Sequence, residues 1–362
     1  MNPLLELKQQ GQQIWLDNLS RTLLREGGLQ RLIREDGLCG VTSNPAIFHK
    51  AIDGSPYYRD ELARLKASGL CAEERYEALV IADIREACDL LQPVYQQSKG
   101  EVGYVSLEVS PHLADDEEGS VRAAHRLRAA VARDNLLIKI PATAAGIGAI
   151  ERLIGEGVRV NVTLMFSPAH YDAVAGAYIS GARRWLEAGG DPQQLRSVAS
   201  IFLSRVDTLV DNRLQQQGTE EALALRGQSA LALARLVYER YRERFHGAEF
   251  APLARSDVAP QFPLWASTGT KNPDYSEVHY VEPLIGPETI NTLPDKTLAA
   301  FREHGQVART LDSEAAVAAA RQQIAALAAQ GISLDECGEA LQREGVRLFV
   351  EPFDKLLALM DA

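Results

Sequence analysis

The stretch "NLLIKIPAT", Asn135 to Thr143, decides how this chain is read. Leu136, Leu137, Ile138 and Ile140 surround Lys139 in a strand-like run, and Pro141 closes it before a helix-like "TAAGIGAIERLI" begins. Side chains alternate between the faces of a strand, so Lys139 shares a face with Leu137 while Leu136, Ile138 and Ile140 form an apolar face fit for covering helices. A lysine in such a place is paired with an acid, reaches water along its stem, or is a reactive amine. A salt-bridged barrel lysine or an edge-strand lysine is the plain alternative.

Similar runs recur along the chain. In order they are "QIWLD" (13–17), "LCGVT" (38–42), "GYVSLEV" (103–109), "LLIKI" (136–140), "VRVNVTLMF" (158–166), "SVASIFL" (197–203), "FPLWAST" (262–268) and "HYVEPLI" (279–285). Segments 73–97, 118–133, 144–155, 168–188 and 206–245 carry apolar residues at three-to-four spacing and read as helices, several with caps such as Thr143 and Ser167-Pro168. Strand and helix in alternation predict a parallel sheet covered by helices, and eight repeats predict an α/β fold of the closed (β/α)8 TIM barrel type. An open doubly wound sheet is the alternative. It lacks its usual fingerprints here, since no G-x-G-x-x-G follows the first strand and no G-x-x-x-x-G-K-[ST] occurs. Residues 1–362 are expected to form one barrel domain, with extra helical segments near 52–72 and 206–260 and terminal helices over 313–360.

The bulk composition limits the function classes. Lys+Arg 38 against Asp+Glu 49 gives a formal net charge of −11, so no global field attracts nucleic acid or an anionic membrane, and an anionic substrate needs a local basic pocket. The N-terminus has no signal-peptide pattern and no apolar run of about 18 residues occurs, which predicts a soluble, cytoplasmic protein. Four scattered cysteines suit a reducing compartment, and seven histidines form no ligand cluster, so neither a metal nor a cofactor is expected.

Parity then collects the polar strand residues. Asp17, Thr42, Asn44, Glu108, Lys139, Asn161, Thr163, Ser200 and Ser267 fall late in their strands, and those within the strands share the face that a barrel turns inward. The carboxyl ends of barrel strands carry the active site in this architecture. A buried Asn or Thr is ordinarily a satisfied core polar group, but so many strands delivering such groups to one end favour a reactive Lys139. A neutral lysine attacks a carbonyl to give a Schiff base, whose protonated imine withdraws electrons from a neighbouring carbon–carbon bond. Asp17 and Glu108, the interior-phase acids, are candidates for the two proton-transfer roles, with a salt bridge to Lys139 as the alternative for each. Arg205 and Lys271, after strands six and seven, together with Ser267, are candidates for a phosphate site; a bare turn and an Arg205–Asp207 pair are the alternatives.

The stretches "GVTSNPAIF" (40–48), "VSLEVSP" (105–111), "LIKIPAT" (137–143), "VNVTLMFS" (160–167), "ASIFLSRVD" (199–207) and "WASTGTKNP" (265–273) resemble, in order, the motifs of the transaldolase family. That resemblance implies a barrel that moves a dihydroxyacetone unit between sugar phosphates, from sedoheptulose 7-phosphate to glyceraldehyde 3-phosphate, in the non-oxidative pentose phosphate pathway. By the same resemblance Lys139 is the Schiff-base lysine, Asp17 the acid/base of carbon–carbon cleavage, and Glu108, through a water held with Thr163, the relay of imine formation. Thr42, Asn44, Asn161 and Ser200 match residues around the dihydroxyacetone unit, and Arg205, Ser267 and Lys271 look like the phosphate site.

Two departures stand out. Many members have a second threonine where this chain has Ser43, and many have arginine where it has Lys271, which exchanges a bidentate grip for a point charge. The chain is also longer than compact members and resembles a longer bacterial branch, so the segments 52–72 and 245–260 carry the least of the likeness. A class I aldolase of the fructose 6-phosphate type, and a non-catalytic sugar-phosphate-binding barrel, are the competing expectations. A monomer or a homodimer is expected, the residues themselves being silent between them.

Overall fold

The computed structural model describes residues 2–361. Among them eight parallel strands close into a barrel in chain order: β1 (Gln12–Asp17), β2 (Gly40–Thr42), β3 (Tyr104–Glu108), β4 (Leu136–Pro141), β5 (Val160–Met165), β6 (Ser197–Phe202), β7 (Phe262–Ala266) and β8 (Thr289–Leu293). β8 pairs back onto β1, from Gln12 opposite Thr289 to Leu16 opposite Leu293. That closure excludes the open doubly wound sheet. It also removes sheet edges, so Lys139 is not an edge-strand lysine.

Expected helices form where apolar periodicity and caps coincide. Ala144–Gly155 starts from Thr143, whose hydroxyl accepts from Gly146 N at 3.0 Å, and Pro168–Glu187 starts from Ser167, which accepts from His170 N at 3.2 Å. The apolar strand face packs beneath these helices; Leu136, Ile138 and Ile140 are all buried. Gly40 shows the tightness of the interior. A Cβ there would lie 2.3 Å from the Trp15 ring, so only glycine lets the large indole fill the barrel beside β2.

Three sequence expectations need correction. The segment 279–285 is not the eighth strand: it is turn and a short 3-10 helix, Glu282–Leu284, while β8 is Thr289–Leu293. Pro283 cannot donate to a ladder and stands in the middle of that run, whereas the prolines the barrel does accept, Pro263 and Pro141, lie near the ends of β7 and β4. The single helix expected over 206–245 is broken into Ser204–Gln217, Glu220–Ala224 and Ser229–Phe245, the first ending at left-handed Gly218. In β5, the alternation stops at Thr163, because Leu164 takes a φ of +59° and the register with β6 shifts there.

The segments beyond a minimal barrel contain helices. Pro45–Gly54 and Arg59–Lys66 occupy most of 52–72 and its approach, and the terminus forms Glu314–Ala329 and Leu334–Asp361. This last helix lies across the carboxyl ends of the strands. Gln342 Nε2 donates to Ala142 O at 2.8 Å and to Leu164 O at 3.1 Å, tying the helix to the ends of β4 and β5. The carbonyl of the left-handed residue Leu164 is thereby satisfied.

Candidate active site

The polar strand ends converge on one mouth of the barrel. Lys139 sits opposite Glu108 on β3 and Asn161 on β5, in the register that parity demands. Its side chain is 6% exposed; Nζ donates to Ser43 O at 2.9 Å and approaches Glu108 Oε2 at 3.4 Å. The ion pair with Glu108 is thus real, and it places an acid next to the amine. Because Lys139 uses the backbone carbonyl of Ser43, the exchange of threonine for serine there leaves this contact intact.

Further polar groups flank the lysine. Thr42 Oγ1 meets both Asp17 Oδ1 at 2.8 Å and Thr292 Oγ1 at 2.7 Å. Asn161 donates to Ser106 Oγ at 2.9 Å and accepts from Ser200 Oγ at 2.7 Å. Thr163 Oγ1 is buried without a protein partner, on the strand beside Lys139. Asn44 lies at the mouth and also caps the Pro45–Gly54 helix, accepting from Ile47 N at 3.0 Å.

A cavity of about 190 Å³ brings Asp17, Thr42, Asn44, Lys139, Thr163, Ser200, Arg205, Ser267 and Lys271 onto one surface. It opens into an outer cleft of about 1020 Å³ across Asp17, Gly269, Lys271 and Pro294. Two candidates stand apart from that surface. Asn161 is fully buried and its amide is committed to Ser106 and Ser200, and Glu108 lies behind Lys139, beside Ser43 and Phe353.

Burial governs the acids. It pushes the Glu108 carboxyl up to about 7, against the lowering influence of Lys139, with Asp17 adding a smaller push upward. Asp17 is also raised, chiefly by burial, while Lys139 and the Thr42 hydroxyl oppose the rise. Glu108 can therefore both give and take a proton near neutrality.

At the other side of the cavity Arg205 lies over the paired rings of Phe202 and Phe349, 5.5 and 5.9 Å from their centroids. Its Nη1 is buried without a protein partner. Arg205 does not pair with Asp207, whose oxygens accept from Ala230 N at 2.8 Å and Tyr280 OH at 2.9 Å. Ser267 Oγ meets Ser204 Oγ at 2.8 Å, and Lys271 stands exposed at the rim.

Asp207 carries a pH prediction. Burial raises its carboxyl from 3.8 to about 7, so the native state holds the proton more tightly than the unfolded chain. The stability gained this way is fully present below about pH 4 and lost as pH rises toward 7. Asp207→Asn is expected to flatten that part of the pH dependence in thermal unfolding; an unchanged slope between pH 4 and 7 would assign the effect elsewhere.

Sequence reasoning missed several groups at this mouth. Thr292 was lost with the misplaced β8. Phe349, 5.9 Å from Lys139 Nζ, comes from the terminal helix and has no local signal. Ser204 could have been found, since it stands inside "ASIFLSRVD".

Comparison with known proteins places the chain in a family. A family profile described as "Transaldolase/Fructose-6-phosphate aldolase" matches residues 14–360. The chain belongs to this family. It is 53% identical over 358 residues to a transaldolase of Thiobacillus denitrificans, covering 99% of both chains. It is 46% identical to one of Neisseria gonorrhoeae, again over 99% of both, and 47% identical to one of Frankia alni over 98% of this chain and 96% of the other.

Proposed function

We propose that this protein is a transaldolase, a transferase that moves a dihydroxyacetone unit between sugar phosphates through a Schiff base on Lys139. The observation that carries the reading is the placement of Lys139: buried at the carboxyl end of β4, paired with Glu108, and sharing one cavity with Asp17. Lys139 Nζ attacks the C2 carbonyl of sedoheptulose 7-phosphate or fructose 6-phosphate, and Glu108, with Thr163, moves the protons that expel water from the carbinolamine. Asp17 takes the proton of the C4 hydroxyl as the C3–C4 bond breaks. The aldose phosphate leaves, the enamine that remains adds to the aldehyde of the acceptor, glyceraldehyde 3-phosphate or erythrose 4-phosphate, Asp17 returns its proton to the new C4 oxygen, and water hydrolyses the imine to free the product ketose and Lys139.

Thr42, Asn44, Ser200 and, from beneath, Asn161 hold the dihydroxyacetone unit in this reading. Arg205, Ser267 and Lys271 bind the phosphate, the partnerless Nη1 of Arg205 being the supporting feature. The same reading takes the whole chain as one domain, with its terminal helix closing the barrel mouth. It places the enzyme in the cytoplasm, in the non-oxidative pentose phosphate pathway, as a monomer or homodimer. In support, no helix among the described residues is long and apolar enough to cross a membrane, and all four cysteines are free.

The family description also names an aldolase, and the two activities separate cleanly in one experiment. Incubation with fructose 6-phosphate and borohydride, followed by peptide mapping, is expected to find a reduced three-carbon adduct on Lys139. Turnover is expected to require erythrose 4-phosphate or another acceptor aldehyde. Release of free dihydroxyacetone at the same rate without an acceptor would make the chain an aldolase. A folded protein that binds the sugar phosphate and yields no adduct would leave a binding barrel.

A further inference from the structure

We propose that Asp211 is a positioning residue for the phosphate site: through Tyr275 it pins the β7–β8 loop and so fixes Lys271 relative to Arg205. This rests on the assignment of Arg205 and Lys271 to the substrate phosphate.

The loop from Ser267 to Glu288 has little regular structure beyond Glu282–Leu284. A segment of that length inside a compact barrel needs anchors to stay ordered. Its first anchor is at the strand end. Ser204 N donates to Ser267 O at 3.1 Å, the two hydroxyls meet at 2.8 Å, and Thr268 Oγ1 donates to Thr292 O at 2.9 Å. These contacts hold Ser267 at a φ of +55°, which a serine rarely adopts.

The second anchor is Tyr275. Its hydroxyl donates to Asp211 Oδ2 at 2.7 Å, while Asp211 Oδ1 accepts from Gly227 N at 2.9 Å. The Tyr275 ring stacks on His279 with centroids 5.1 Å apart, and His279 Nε2 donates to Gly227 O at 2.8 Å. Gly227 has a φ of +71°, and a Cβ there would come within 2.8 Å of Tyr275 Cζ. Asp211 thus closes a compact junction of three chain segments around one tyrosine.

Lys271 lies between these two anchors, and both of them end on the Ser204–Gln217 helix that also carries Arg205 in its first turn. One rigid element therefore sets both cations of the site. The link matters more for this chain than for one with arginine at position 271. An ammonium on a flexible stem has no planar fork to lock it onto an anion, so its mean position follows the backbone beneath it.

The test compares wild type, Tyr275→Phe and Lys271→Ala in the full chain. Tyr275→Phe removes the hydroxyl and keeps the ring. It is expected to raise the KM for fructose 6-phosphate and the inhibition constant of inorganic phosphate by about three- to tenfold, with kcat within about twofold of wild type. Tryptic cleavage after Lys271 is expected to quicken in the folded protein, a readout independent of activity. Asp211→Asn, which keeps the shape and weakens the bond to Tyr275, carries the same expectation should the phenylalanine variant fold poorly. If Lys271→Ala raises both constants while Tyr275→Phe and Asp211→Asn leave them and the cleavage rate unchanged, the latch is overturned and the phosphate site stands. If Lys271→Ala has no effect, the phosphate assignment fails and the latch falls with it.

Discussion

Lys139→Met is expected to lower turnover by at least about 10⁴-fold, because it removes the nucleophile on which every later step is built. Methionine nearly matches the lysine stem in length and is compatible with the 6% exposure of this position, so the barrel has little reason to rearrange. The substitution also takes away the cation that holds the Glu108 carboxyl down. That carboxyl should then be protonated and uncharged at neutral pH, which limits the cost of leaving it buried without a partner. Sugar-phosphate binding should survive, since Arg205 on the helix after β6 and Ser267 and Lys271 on the β7–β8 loop stand on segments that the substitution does not touch. The measurements are steady-state turnover, ligand binding by calorimetry and borohydride trapping. Retained turnover, or an adduct on another lysine, would remove Lys139 from the mechanism; unchanged activity with unchanged binding would favour a structural charge.

Asp17→Asn carries the second large effect. Asparagine preserves the shape and can still accept from Thr42 Oγ1, now 2.8 Å from Asp17 Oδ1, but it cannot accept the C4 hydroxyl proton. Imine formation depends on Lys139 and Glu108, so the variant should load its donor and then stall. Turnover is expected to fall by about 10²- to 10⁴-fold, and borohydride should trap the whole six-carbon sugar phosphate on Lys139 where wild type gives the three-carbon fragment. A three-carbon adduct forming at the wild-type rate would exclude Asp17 from cleavage. The two substitutions divide the reaction at the imine, one abolishing it and the other accumulating it.

Much of this site was legible in the residues because strand alternation is a local rule. Lys139, Glu108, Asn161, Ser200, Thr42 and Asp17 each fall on the inward face by counting in twos, and the structure pairs Glu108 with Lys139 and Lys139 with Asn161 across neighbouring strands. β8 was not legible, and the reason is physical. "TINTL" is short and polar, and its polarity is answered by distant parts of the chain. Gln12 donates to Thr289 Oγ1 at 3.0 Å, Asn291 donates to Tyr280 O at 3.0 Å, and Thr292 meets Thr42 at 2.7 Å. The apolar segment 279–285 outcompeted it on composition alone, although Pro283 would interrupt a ladder in mid-run.

By itself, then, the amino-acid sequence determined the βα alternation, the face each strand residue takes, and the family to which the six motifs belong, since all of these rest on short-range periodicity or on residues in fixed order. Tertiary structure alone decided which groups surround the lysine from outside its own βα unit. Closure of the barrel brings Thr292 to Thr42, and the terminal helix lays the Phe349 ring 5.9 Å from both Lys139 Nζ and the Arg205 guanidinium. It also decided that Asn161 is a buried brace and that Arg205 keeps clear of Asp207. Contacts of this kind depend on helix placement and on competition among buried polar partners, and neither is encoded by the spacing of residues along the chain.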